Sequence, residues 1–358
     1  MEKFFEKFEH SKNIRHEQSN QLIDYLSKTV KVCYLKSEDK FNPDFSSKEK
    51  YIEYTEYFRK KLAMTIGYPP PSENSEIKAR EEYVGEDELC YIYRLFISVD
   101  VSMECYGIYM IPKSLDKKAP LLLCLHGGGG CPEMICNFER TDNYNNASRR
   151  FLSEGFIVFS PLFSFRSFAD EENTDIPRNL RDILDIRAKW AGTSLVAIET
   201  FKVIKALDYL LAKDEIDIEN VGVAGLSYGG FYALIVAALE ARIKFCISSC
   251  YFNDRILVNE KHPADFYDLT WKGSINEFSD VQLVALICPR LCFIEVGVFD
   301  ELFPVEGARA MITKARKFYK ELELEDRLVY KEFEGGHEFN LGFIEELKNY
   351  INICTDFK

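Results

Sequence analysis

By its apolar and polar positions alone, the chain changes character near residue 75. Residues 1 to about 75 are polar and rich in Lys and Glu. Their apolar side chains recur at helical spacing: Phe4, Phe5 and Phe8, then Leu22, Ile23, Tyr25 and Leu26. Pro69-Pro70-Pro71 closes this region, because proline lacks a backbone donor and clashes with the preceding helical turn. The pattern predicts a helical extension over 1–75, followed by a second unit over 76–358.

Beyond the prolines, short β-branched and aromatic runs alternate with helical patterns. Tyr91 to Pro112 holds two strand-like runs that predict an antiparallel hairpin opening a sheet. Strands follow at 120–125, 156–161, 221–224, 244–250, 290–297 and 327–333. Helices are expected over 147–152, 198–212, 231–239, 305–323 and near 340–352. This alternation predicts an α/β protein with a mostly parallel, doubly wound sheet and helices on both faces. Residues 164–193 break the rhythm. They are polar, carry Arg166, Arg178, Arg181 and Arg187, and end near Trp190. An insertion of that length between strand and helix predicts a cap beside the functional site. Its arginines read as a solvated face rather than as an anion-recognition set.

At 358 residues with 47% hydrophobic and 14% aromatic side chains, the chain can bury a large core without disulfides or metals. A formal charge of −13 argues against nucleic acid or an anionic membrane as partner. The 11 cysteines are scattered. Cys246/Cys250 and Cys288/Cys292 have no histidines nearby to complete a zinc set, so no metal or other cofactor is expected. Free thiols suit a reducing compartment. The N-terminus lacks the apolar core of a signal peptide, and no apolar run approaches the ~20 residues of a bilayer span. The expected location is cytoplasmic. The spaced phenylalanines at the N-terminus need a surface to bury them, which predicts packing on the sheet or a homo-oligomer.

The candidate chemistry centres on Gly225-Leu226-Ser227-Tyr228-Gly229-Gly230. It lies between the apolar run Val221–Ala224 and the Ala-rich stretch Phe231–Leu239. G-x-S-x-G between strand and helix is the pattern of a nucleophile elbow, which lifts the serine hydroxyl clear of the sheet. A serine needs a base, and the base needs an orienting acid. Of the histidines at 10, 16, 126, 262 and 337, only His262 and His337 follow the serine. His262 precedes Pro263 in a polar loop and reads as surface. His337 follows two glycines after the strand 327–333, so it is the expected base. The acid should leave the preceding strand. Asp300 fits best, Glu301 is a neighbour able to substitute, and Glu295 within the strand reads as a structural hydrogen-bonding group. An oxyanion would be held by backbone amides. One is expected from Tyr228 and one from His126-Gly127-Gly128-Gly129-Gly130, where Gly128 is preferred and Gly127 and Gly129 remain open. His126 reads as structural. A phosphate loop is disfavoured, since no G-K-[ST] follows.

From about Phe58 onward the chain resembles the α/β-hydrolase group that contains acetyl xylan esterase-like and dienelactone hydrolase-like proteins. The residues carrying the resemblance are Tyr57–Pro70, Ala206–Leu210 with Ile216–Ile218 and the elbow, Cys288–Gly297 with Asp300 and Phe303-Pro304, and Gly335–Phe339. The resemblance implies the α/β-hydrolase fold over a catalytic domain at 76–358. It also implies triad roles for Ser227, Asp300 and His337, and cofactor-free hydrolysis of small carboxylic esters, acetyl esters first. Many members read His-Gly-His or His-Gly-Tyr where this chain has His126-Gly127-Gly128. A prolyl oligopeptidase-like peptidase and a non-catalytic binding protein of the same fold are the alternatives. The propeller repeats usual upstream of such peptidases are not visible.

Overall fold

The computed structural model describes residues 3–73, 76–115, 117–139, 141–163, 180–263, 265–342, 344 and 347–349. Its strands are β1 (Ala79–Glu86), β2 (Cys90–Asp100), β3 (Met103–Pro112), β4 (Ala119–Leu125), β5 (Ile157–Pro161), β6 (Ile216–Leu226), β7 (Phe245–Ser249), β8 (Leu291–Gly297) and β9 (Leu328–Phe333). They form one 9-stranded sheet in the order β1-β2-β3-β5-β4-β6-β7-β8-β9. The pairs β1–β2, β2–β3 and β3–β5 are antiparallel. From β5 through β4 to β9 the pairing is parallel. The predicted hairpin is β2–β3, and the predicted mostly parallel sheet is present.

Helices α1 (Lys12–Lys40) and α2 (Lys48–Ile66) precede the sheet. Then come α3 (Pro132–Ile135), α4 (Ala147–Ser153), α5 (Leu180–Trp190), α6 (Leu195–Leu210) and α7 (Tyr228–Leu239). The last are α8 (Arg255–Lys261), α9 (Ser274–Glu277), α10 (Asp280–Ile287) and α11 (Val305–Lys320). Residues 344 and 347–349 are helical, and the rest of the helix expected at 340–352 lies outside the described residues or is not helical. The central strands are buried without alternation because helices cover both faces, as parallel sheets require. Helix α7 is buried on nearly every side.

The two N-terminal helices behave differently. Tyr51, Thr55, Phe58, Leu62 and Ile66 form one buried stripe on α2, which packs against α7 and α10. Tyr51 donates to the Ala285 carbonyl at 2.7 Å, so α2 is stitched into the main core. Helix α1 docks only by its last turns, where Tyr34 and Ser37 are buried. Phe4, Phe5 and Phe8 stay 79–86% exposed in the single chain.

Strand β1 was not expected from the sequence. Its Glu81, Glu82 and Tyr83 are all exposed, so no alternation marks it as a strand. It pairs with β2 at the sheet edge, where charged side chains discourage further strand addition.

Strand order reverses at β4, with β5 on one side and β6 on the other. Open α/β sheets bind ligands at such a point, outside the carboxyl ends of the strands. The glycine loop after β4 is pinned there by His126, which is fully buried. Its Nε2 accepts the Phe163 amide at 3.0 Å, so Nδ1 carries the proton and donates to the Gly127 carbonyl at 2.8 Å. The ring is structural, as the sequence suggested.

Burial lowers the His126 pKa to about 4 from the ordinary 6.5. As pH falls through that window, the unfolded chain takes up a proton that the folded chain refuses. The stability this residue supports is therefore complete above pH 6.5 and drains away towards pH 4. In His126→Gln, the amide can still donate and accept but cannot titrate. The stability advantage of wild type over His126→Gln, from urea unfolding, should shrink by about 2 to 3 kcal/mol between pH 7 and 4.5. A constant difference would mean that the imidazole is not held neutral.

Candidate active site

Ser227 sits between β6 and α7 with φ +58° and ψ −117°, a conformation L-residues seldom adopt. The flanking glycines make the turn feasible. A Cβ on Gly225 would lie 2.1 Å from the Gly229 carbonyl oxygen, and one on Gly229 would lie 2.2 Å from that of Leu125. The Ser227 amide donates to the Ser249 carbonyl at 2.8 Å, which ties the turn to the end of β7. The Phe231 amide closes the first helical bond onto the Ser227 carbonyl at 3.0 Å. The Tyr228 amide therefore lies in the first turn of α7, where the helix has no carbonyl to offer and its dipole favours negative charge.

Asp300 lies in the exit loop of β8 and is 6% exposed. Its Oδ1 accepts the amides of Leu302 and Phe303 at 2.9 and 3.0 Å. Its Oδ2 is 2.8 Å from His337 Nδ1. Three hydrogen bonds leave this carboxylate little freedom to turn. The His337 ring is partly exposed and stacks on Phe303, with centroids 5.7 Å apart and an interplanar angle of 21°. Among the described residues, the direct hydrogen bond within the predicted trio is this one between Asp300 and His337. Ser227 is linked to the other two through β7: Ser249 takes the Ser227 amide, and Cys250 Sγ lies 3.3 Å from the Glu338 carbonyl oxygen.

Glu295 has the structural role expected of it, and a larger one than its position in a strand suggests. Buried in β8, it accepts the Ser249 hydroxyl at 2.8 Å and the amides of Asn340 and Leu341 at 3.0 Å. It thus fastens the chain just after His337 to β8, whose exit loop carries Asp300, and to the end of β7, whose Ser249 carbonyl takes the Ser227 amide. Burial pushes its carboxyl pKa up, against the pull of those donors.

In the glycine loop, the Gly127 amide donates to the Tyr144 hydroxyl at 2.8 Å. Gly130 donates to the Gly127 carbonyl at 3.1 Å, so Gly128 and Gly129 occupy the tip of a turn. Gly127 is within reach of the nucleophile: a Cβ there would be 3.6 Å from that of Ser227.

His262 lies at the surface as expected, its side chain 24% exposed and its Nε2 3.3 Å from the Glu301 carbonyl oxygen. One expectation changes. Arg181 is not part of a solvated face. It stacks over Tyr267 at 4.1 Å and approaches Asp268 at 3.9 Å. Asp268 is buried and accepts the Tyr228 hydroxyl at 3.1 Å, so the first turn of α5 reaches the residue after the nucleophile. Within the expected cap, residues 164–179, including Arg166 and Arg178, lie outside the described residues. Asp268 sits in a single 3-10 turn, Tyr267–Leu269, and no motif marks it in the sequence.

Cys250, Asp300 and His337 bring potential metal-ligating atoms within 4.8 Å of one another. Their closeness follows from the Asp300–His337 hydrogen bond and from the Cys250 contacts to the carbonyls of Gly336 and Glu338. No helix among the described residues is long and apolar enough to cross a membrane.

No family model matches the chain. YtaP of Bacillus subtilis (strain 168), named as a candidate hydrolase, is 24% identical over 263 residues, covering 70% of this chain and 82% of YtaP. Among solved structures, a candidate acetyl xylan esterase from Bacteroides fragilis NCTC 9343 superposes with a TM-score of 0.64 at 15% identity, covering 82% of this chain and 77% of that one. A glucuronoyl esterase from Solibacter usitatus gives 0.64 at 14% identity, covering 87% and 93%. With the strand order and the elbow between β6 and α7, these likenesses place the chain in the α/β-hydrolase fold.

Proposed function

We propose that the protein is a serine hydrolase of carboxylic esters and that its acyl group is short, acetyl first. The observation carrying this reading is the hydrogen bond from His337 to an Asp300 carboxylate already fixed by two backbone amides. An acid held in this way selects the imidazole tautomer protonated at Nδ1, which leaves Nε2 free to accept a proton. The strained turn at Ser227 is the second support, because strain of this kind gathers where a side chain must be presented in one direction.

In the proposed cycle, Ser227 Oγ attacks the ester carbonyl while His337 Nε2 takes its proton. Asp300 stabilises the imidazolium. The oxyanion forms opposite the Tyr228 amide in the first turn of α7, with the Gly128 amide as the second donor. Gly127 is the poorer choice because its amide already donates to Tyr144. His337 then gives its proton to the leaving alcohol, and a water activated by the same nitrogen releases the acid. An acetyl group accords with the candidate acetyl xylan esterase among the structural neighbours.

Ser227→Ala should lose fluorophosphonate labelling and at least ~10³-fold of kcat on an acetyl ester, with an unchanged circular dichroism spectrum. Wild-type rates in that variant would end the assignment. Asp300→Asn should retain labelling, slowed, and lower kcat by roughly 10³ to 10⁴-fold, since the amide permits the wrong histidine tautomer. Steady-state kinetics near neutral pH would measure this. A loss under tenfold would move the acid role to another group, with Glu301 tested next.

A further inference from the structure

A cavity of about 250 Å³ lies between α8, residues 263 and 265–270, and the loop that carries Asp300. Its walls include the rings of Tyr251, Phe266, Tyr267 and Phe303, with Val258 of α8 closing one side. Phe303 packs against Tyr251 and Phe266, with centroids 5.2 and 5.3 Å away, and the same ring stacks on His337. Cavity and base therefore share a wall.

Deep in the cavity, Arg255 and Asp280 neutralise each other. Arg255 Nε donates to Asp280 Oδ1 at 2.7 Å, and the Asn253 amide donates to Oδ2 at 3.0 Å. Both charged groups are buried, and Arg255 Nη2 makes no well-aligned hydrogen bond although it lies 2.6 Å from Asp280. A neutralised pair of this kind repels neither an apolar group nor a neutral acceptor. An apolar cavity of about 150 Å³ is enough to bind benzene, so about 250 Å³ leaves room for a ring with a substituent. In the proposed reaction His337 returns its proton to the leaving alcohol.

We propose that this cavity binds the alcohol part of the ester, and that the protein prefers acetyl esters of aromatic or similarly sized apolar alcohols. The inference rests on the hydrolase reading of Ser227, Asp300 and His337, and it adds the substrate class. Discrimination of this size comes from apolar surface buried in the transition state and is worth roughly 10- to 100-fold in kcat/KM.

The test compares benzyl acetate, methyl acetate and methyl phenylacetate in wild type, Val258→Trp and Phe266→Ala. Val258→Trp fills the cavity from α8 and should lower the ratio of kcat/KM for benzyl acetate over methyl acetate at least tenfold. Phe266→Ala enlarges the cavity and should raise the rate on a naphthylmethyl acetate relative to benzyl acetate. An unchanged ratio in both variants overturns the proposal, and so does a ring preference confined to methyl phenylacetate, which places the cavity on the acyl side. Calorimetry with benzyl alcohol on Ser227→Ala, and on the same protein carrying Val258→Trp, reads the cavity without turnover. Binding lost on filling supports the cavity assignment even if no ester is hydrolysed, an outcome that sinks only the hydrolase reading. Ester turnover with no benzyl alcohol binding and no ring preference sinks only the cavity.

Discussion

The geometry of the candidate site depends on a carboxylate that faces no solvent. Glu295, at the centre of β8, gathers the Ser249 hydroxyl and the amides of Asn340 and Leu341. Burying a carboxyl group without partners costs several kcal/mol, so it persists where donors surround it. The donors come from chain segments far apart in sequence. The end of β7, which receives the Ser227 amide, and the stretch following His337 converge on one side chain. The parallel sheet delivers loops to a common edge, and Glu295 fixes two of them relative to each other.

The same arrangement recurs around the site. His126 pins the glycine loop to the chain after β5, Asp300 holds the His337 ring, and Asp268 anchors the Tyr228 side chain. All three are buried and lie at or beyond strand and helix ends. A loop contributes few apolar contacts, so its position is set by directional bonds to a buried polar group, which costs more to leave unpaired than it gains when paired. This division of labour also explains why the central strands are fully buried and largely apolar: they provide the platform, and polar side chains at their ends, with Glu295 inside β8, provide the placement.

Sequence legibility followed the same division. The elbow could be read because its glycines answer a steric demand that no other residue meets, and both 2.1 and 2.2 Å approaches are backbone contacts. Asp300 and His337 could be read because each follows a recognisable strand. Among the described cap arginines, Arg187 is exposed as expected, and Arg181 departs from the expectation because nothing in composition separates a solvated arginine from one stacked on Tyr267. Strand β1 stayed hidden because both of its faces are exposed, and α10 because it is buried all round. In each case the pairing of one face with core and the other with water, on which periodicity depends, is missing. Helix α2 lay in a region read as an extension, yet its buried stripe and the Tyr51 bond to Ala285 make it part of the main core.

The Asp268 contacts bear on how substrate access and chemistry are connected. Tyr228 supplies the proposed oxyanion amide from its backbone while its hydroxyl is held by Asp268. In the first turn of α5, Arg181 stacks over the neighbouring Tyr267 and Asp182 accepts a hydrogen bond from its hydroxyl. Tyr267 in turn lines the aromatic cavity beside His337. One short segment, 267–268, thus touches the described end of the cap, the cavity wall and the residue after Ser227. Movement of α5 away from the sheet would release Tyr267 and Asp268 together, loosening the cavity and the Tyr228 side chain at once. In the proposed mechanism the preorganisation of the oxyanion donor and the shape of the proposed alcohol cavity are therefore not independent properties.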